Sequence, residues 1–305
     1  MNRKIRIFVA LPDSSLCDEK NLREKTIKIG RFARAFSIFG VKKIIIYKDP
    51  TIKNINSDKL LMKLILDFLN TPQYLRKLIY PLNHELSYIG LLPPIKAPQH
   101  KKKIKPSELK VGELRIGLIY HRNSVINKVF SNKITNNKKF LKNLRKKNYE
   151  YYIDVGLDFP IPFLGEGIDG QKIIVKFIDS YPNLKAIKAT EMDIDKEYFG
   201  YDIVSINSID EFLRKLDPKT FVVFTSKKGI IFKNIELQFK DIIKKFETLL
   251  IVFGSPSKGI SDIYPNFKKI NNSMYLNIFP HQKTDTIRLE EALLGTLTIF
   301  NHFLN

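Results

Sequence analysis

The sequence predicts an α/β fold, an open parallel sheet interrupted by a small OB-like β-barrel, and three observations carry that reading. A strand–helix–strand run opens the chain. A middle stretch of short strands has little helical periodicity. Alternating strands and helices then resume to the end.

IRIFVALP (5–12) is a short β-branched apolar run closed by Pro-Asp-Ser, as a buried strand would be. In REKTIKIGRFARAFSIFG, residues Ile29, Phe32, Ala33, Phe36 and Phe39 recur at helical spacing, and Gly40 is a natural stop. VKKIIIYKDP (41–50) is the second strand, and the helical link makes the pair parallel. LLMKLILDFLN reads as a helix and TPQYLRKLIYPL as a further segment. GLLPPIKAPQHKKKIKP (90–106), rich in Pro and Lys, reads as a hinge between domains. ELRIGLIYH, YEYYIDVGLD, FPIPFLGEGI and KIIVKFID are short strands separated by Gly, Asp and Asn, which suggests a small, basic barrel of about five strands. From Tyr198 the order is strand (YFGYDIVSI), helix (SIDEFLRKL), strand (FVVFTS), helix (IELQFKDIIKKF), strand (LLIVFGS), strand (MYLNIFP) and final helix. In that helix Leu289, Leu293, Leu297 and Phe300 share one face. Residues 1–92 and 193–305 are therefore expected to form one domain, with 93–192 inserted.

The 305 residues can bury a sizeable core, and the formal net charge is +21. Ten Lys or Arg and no Asp or Glu lie between Leu114 and Tyr149, nearly half of that excess. Such a concentration points to a polyanion, RNA or DNA first. Lys138, Lys139, Lys142, Arg145, Lys146 and Lys147 are the candidate contacts, and Tyr149, Tyr151 and Tyr152 could stack on bases. A single cysteine, Cys17, excludes an internal disulfide framework, and the five histidines have no metal-ligand spacing. No apolar run reaches the roughly 18–20 residues that span a bilayer, and the N-terminus lacks the pattern of a signal peptide. The expectation is a cytoplasmic, metal-free protein with no membrane partner.

Ligands of open parallel sheets bind at the carboxyl ends of the strands. TSKKG (225–229), FGSPSKG (253–259) and FPHQKTDT (279–286) are small, polar loops at three such ends. FGSPSKG looks like a phosphate loop, yet it fails the G-x-x-x-x-G-K-[ST] pattern, and no Ser or Thr follows Lys258. No GxGxxG follows any strand. Nothing here selects ATP, GTP or NAD.

Four stretches, VALPDSSLCDEKNLREKTIKIGRFARAFSIFGVKKIIIY, TPQYLRKLIYPLNHELSYIGLLPPIKAPQH, VFGSPSKGI and NIFPHQKTDTIRLEEALLGTL, resemble archaeal and eukaryotic SPOUT proteins described as RNA uridine-N3 methyltransferases. The resemblance runs through the whole chain in order. It implies a Rossmann-like domain with a C-terminal trefoil knot binding S-adenosylmethionine, a homodimer, an OB-like RNA-binding insert, and methylation of uridine N3 in ribosomal RNA. Ribose 2′-hydroxyls and guanines are methylated on the same fold, and a non-catalytic assembly factor that keeps the fold is the other class of reading.

By that resemblance FGSPSKG, with Gly254, Ser255 and Gly259, lets backbone approach the cofactor. Thr225 and Ser226 close one side. Leu276, Ile278 and Phe279 enclose the adenine, and Thr286, Ile287 and Arg288 start the last helix against it. Lys283 stands where the family usually has Gly, so it could narrow the pocket or reach RNA. Arg34, six residues before Gly40, is the implied catalytic residue, and Arg31 an RNA contact. Arginine can stabilise the uracil anion formed as N3 loses its proton. Glu290 or Asp13 could accept that proton, and Glu290 could equally be a first-turn carboxylate at the helix dipole.

Overall fold

The computed structural model describes residues 5–52, 56–125 and 149–304. The chain divides into two compact units. One comprises 1–70, 83–95 and 200–305, the other 71–82 and 96–199.

The first unit holds β1 (Arg6–Pro12), α1 (Leu22–Ile38), β2 (Lys43–Tyr47) and α2 (Asn56–Asn70). The second holds α3 (Gln73–Ile79), β3 (Leu114–His121), β4 (Tyr151–Asp154), β5 (Ile161–Phe163), β6 (Lys172–Phe177), β7 (Ala186–Lys188) and α4 (Glu191–Ile194). The first unit then resumes with β8 (Asp202–Ile206), α5 (Ile209–Arg214), β9 (Thr220–Ile231), α6 (Glu236–Ile243), β10 (Thr248–Val252), α7 (Ile260–Ile263), β11 (Ser273–Asn277) and α8 (Leu289–Leu304).

The six strands of the first unit form one parallel sheet in the order β11-β9-β10-β1-β2-β8. β10 is TLLIV, buried at every residue, as a strand flanked by two neighbours and covered on both faces must be. α1 buries Ile29, Phe32, Ala33 and Phe36 of the face its spacing predicts, while Phe39 falls at the C-cap and is only half-buried, and Asn21 caps the start by accepting the Glu24 N–H. In α8 the predicted stripe Leu289, Leu293, Leu297 and Phe300 is also buried.

β9 runs well beyond the predicted FVVFTS. Its pairing with β11 passes from Phe224↔Tyr275 straight to Ile230↔Leu276, so Thr225–Gly229 bulges out of the ladder. Gly229 is required there, because a Cβ would lie 2.5 Å from the Leu276 carbonyl carbon.

In the second unit five strands close a barrel in the order β3-β4-β5-β7-β6, antiparallel except for β5 with β7. Its interior packs Ile119, Ile153, Val155, Phe163, Val175 and Phe177. Its outer wall at β3 and β4 is covered by α3 through Leu75 and by Phe199. Tyr152 belongs to that covered wall at 2% exposure, so it is packing and not a base-stacking platform. Tyr149 packs edge-on against it, and Tyr151 against His121. The basic residues Lys138 to Lys147 lie outside the described residues.

His100, in the second unit, is held neutral: burial, and then Arg76, depress its pKa to about 4. Its buried Nε2 has no hydrogen-bond partner. The unfolded chain titrates this imidazole near 6.5, so between about pH 6.5 and 4 the unfolded state binds the extra proton. Stability should therefore fall as pH drops through that window, by up to about 3 kcal/mol for this group. His100→Asn should flatten the slope in denaturant titrations at stepped pH, and an unchanged slope would remove His100 as its cause.

Candidate functional site

At the carboxyl ends of β11, β9 and β10, three sheet neighbours, the loops that follow or interrupt the strands surround one cleft of about 350 Å³. That volume suits an organic ligand rather than a lone ion.

The loop after β10 is a closed turn. The Ser255 N–H donates to the Lys258 carbonyl at 2.8 Å, and the Lys258 N–H donates to Ser255 Oγ at 3.0 Å. Gly254 sits inside it, where a Cβ would stand 2.7 Å from the Lys258 oxygen and 2.9 Å from the Ile260 nitrogen. At Gly259, by contrast, a Cβ would meet only side-chain atoms at 3.7 Å. The chain's own packing therefore demands the first glycine and not the second. From behind, Tyr47 donates its hydroxyl to the Phe253 carbonyl at 2.5 Å. Burial, then the Asp49 and Asp13 carboxylates, push that phenol well above its ordinary pKa, so the proton it donates stays in place.

The Thr225–Gly229 bulge is pinned to its neighbours. Tyr275 Oη donates to Ser226 Oγ at 2.7 Å, Asn277 Nδ2 to the Lys227 carbonyl at 2.9 Å, and Thr225 Oγ1 to the Val252 carbonyl at 3.2 Å. The third wall runs from Asn277 into the start of α8. Its floor is Thr296, fully buried, whose Oγ1 has no hydrogen-bond partner. That hydroxyl is a buried polar group left unpaired beside the cleft, and it is inaccessible to a ligand in this conformation.

Thr225, Ser226, Gly254, Ser255, Gly259, Ile278, Phe279, Thr286 and Ile287 all line the cleft. Leu276 and Arg288 do not. Leu276 is fully buried in β11, and Arg288 lies 4.0 Å from Glu290. Lys283 is exposed and outside the lining, so it does not narrow the cleft. Gln282 and Asp285 line it from within the 279–286 loop expected there, and sequence reasoning missed Asp262, Asn277, Ala292 and Thr296. Thr296 alone carried a signal, a hydroxyl within the apolar stripe of the last helix.

Arg34 is exposed on α1, outside the cleft lining, with no ion pair among the described residues. Glu290, in the first turn of α8, is also outside the lining and nearly inaccessible. Its Oε1 accepts from Arg31 Nη1 at 2.9 Å, and Lys28 Nζ lies 3.6 Å from Oε2. Lys28 is itself buried, bridging Asp18 at 2.5 Å and Glu19 at 3.6 Å. Asp13, at the end of β1, is buried and accepts the Asp49 N–H at 2.9 Å; burial raises its pKa. Among the described residues no His, Cys, Asp and Glu side chains gather as a metal would need, and no helix is long and apolar enough to cross a membrane.

The model of a family described as "Putative RNA methyltransferase" matches residues 6–300. The chain belongs to this family. Its relatives include a 28S rRNA (uridine-N(3))-methyltransferase of Drosophila melanogaster, 26% identical over 327 residues, covering 95% of this chain and 61% of that protein. The Homo sapiens protein of the same name is 25% identical, with 97% and 77% covered. An uncharacterized protein of Haloarcula marismortui is 22% identical, with 95% and 96% covered. The chain thus spans less than two thirds of the fly relative and nearly all of the archaeal one. Matched residues extend from β1 through the barrel into α8, so both units belong to the family's architecture.

Proposed function

We propose that this chain is an S-adenosylmethionine-dependent methyltransferase of RNA, acting on uridine N3 in ribosomal RNA. The cleft itself carries the reading: three neighbouring strand ends converge on a cavity of cofactor size walled by small and polar loops. The family match and the names of the fly and human relatives supply the reaction. The further parts of the proposal are a C-terminal trefoil knot, an OB-like role for the barrel, a homodimer and a cytoplasmic setting. They follow the resemblance of the four motif stretches.

S-adenosylmethionine supplies an electrophilic methyl group on sulfonium sulfur. The chain's residues fit it. Polar backbone of the Gly254–Gly259 turn and of the Thr225–Gly229 bulge frames the sides, and Ile278, Phe279, Leu289 and Ala292 provide apolar wall for a purine. Gly259 carries no packing demand, and its N–H and carbonyl are already engaged by Asp262 and Ile263. Asp262 and Asp285 add carboxylate acceptors at the lining. Methyl transfer needs in-line positioning more than covalent help, so the protein's task is to hold donor and uracil at contact and drain the N3 proton. Arg34 lies outside this chain's own cleft, so its role in stabilising the developing uracil anion rests on the proposed homodimer bringing it to the cleft of the second copy. Glu290 is committed to Arg31 and Lys28, which favours a positioning role over proton acceptance.

Calorimetry with S-adenosylhomocysteine should give a one-to-one complex. Nucleoside mass spectrometry of ribosomal RNA from a deletion strain should show loss of 3-methyluridine. No cofactor binding at millimolar ligand would end the enzyme reading, and loss of a different methylated nucleoside would move the target.

A further inference from the structure

We propose that Arg31 and Arg288, gathered on the buried carboxylate of Glu290, form a phosphate-binding pair that seats the RNA backbone beside the cleft; this rests on the RNA methyltransferase reading above. Glu290 has a side chain only 4% exposed and serves three cations. The buried one, Lys28, has its own counter-charges in Asp18 and Glu19. That leaves one carboxylate shared between two guanidiniums, Arg31 at 2.9 Å and Arg288 at 4.0 Å, whose side chains are 58% and 63% exposed. The cluster as a whole balances three cations against Asp18, Glu19 and Glu290, but two of those carboxylates lie with buried Lys28, so the exposed pole holds two guanidiniums on one carboxylate, with Glu291 accepting the Arg288 backbone N–H at 3.0 Å. Each guanidinium has five N–H donors, and the carboxylate engages few of them.

The place of the pair gives it a use. Arg288 stands between Ile287 and Leu289, which both line the cleft, so a phosphate held there is close to a base entering it. Glu290 and Lys28 are buried, and their ion pairs join α1 to α8 from below. The hydrogen bond to Glu290 restrains the long Arg31 side chain before RNA arrives, and Arg288 stands within ion-pair range of the same carboxylate. Arginine suits the task because its planar fork matches phosphate oxygens, where lysine is only a point charge. Such contacts set the register of the RNA without reading its bases. Glu290 is thus a positioning residue, acting through the arginines.

The test is fluorescence anisotropy of a uridine-containing RNA oligonucleotide on the full chain saturated with S-adenosylhomocysteine, repeated across a salt series. Arg31→Gln and Arg288→Gln should each weaken binding and flatten the slope of log affinity against log salt by about 0.7, the value for one phosphate contact on a single strand. Lys240→Gln, an exposed change on α6, should leave the slope unaltered. Arg31→Lys should keep the slope but not the affinity, a split that a purely structural ion pair would not produce. Glu290→Gln, which removes no positive charge, should weaken RNA binding with the slope retained. Wild-type slope and affinity in both glutamine variants, with S-adenosylhomocysteine bound normally, would overturn the pair. Failure of the wild-type chain to bind S-adenosylhomocysteine would instead remove the reading beneath it.

Discussion

Gly254→Ala should cost about 100-fold in S-adenosylhomocysteine affinity, close to 2.8 kcal/mol, the upper range for overpacking a tight site. The added methyl would meet the Lys258 oxygen, the Ile260 nitrogen and the Gly259 carbonyl carbon, all backbone and all within 3.1 Å. No side chain can rotate away to admit it. The turn must open, breaking the Ser255-to-Lys258 bond that shapes one wall of the cleft. Gly259→Ala is the internal comparison, because its methyl meets only the Asp262 and Ser261 side chains at ordinary contact distance. It should fold with unchanged melting behaviour and lose less affinity. Equal losses in calorimetry would mean that the turn's packing is not what Gly254 protects.

Lys28→Met should lower the stability of the sheet unit by about 3–5 kcal/mol, the range for stripping one partner from a buried ion pair. The methionine fits a site that is 1% exposed, yet it leaves Glu290 without its ammonium beneath and Asp18 and Glu19 facing each other. Against a usual total of about 5–15 kcal/mol, the loss should be plain in urea titrations. Adding Glu290→Gln to Lys28→Met should recover part of it, since the uncompensated charge is then gone. Lys244→Met, which breaks a pair exposed on both sides, should change nothing measurable. A Lys28→Met protein as stable as wild type would show that the cluster is not a structural tie.

Much of the first unit was legible because its signals are local. β1, β2 and β10 are apolar β-branched runs, and the buried stripes of α1 and α8 keep strict helical spacing. β9 was cut short because Ser226 to Gly229 break the apolar run, although the strand resumes beyond them to pair Ile230 with Leu276. β7, three residues long, offers no period to detect. Tyr152 looked free because alternation along β4 cannot reveal that α3 and Phe199 cover the barrel's outer wall. The polar loops of the cleft could be located from their strand ends. The meeting of Lys28, Arg31 and Glu290 could not, since about 260 residues separate the partners and only the sheet brings α1 and α8 together.

β1 lies between β2, a few dozen residues away, and β10, whose pairing joins Arg6 to Thr248. During synthesis the first strand therefore waits, with one edge unpaired, until β10 has left the ribosome. The barrel strands can pair as soon as residues 114–188 emerge. The order is set by which segments exist to pair, so the cleft, built on β9, β10 and β11, can form only after the barrel strands are already available to each other.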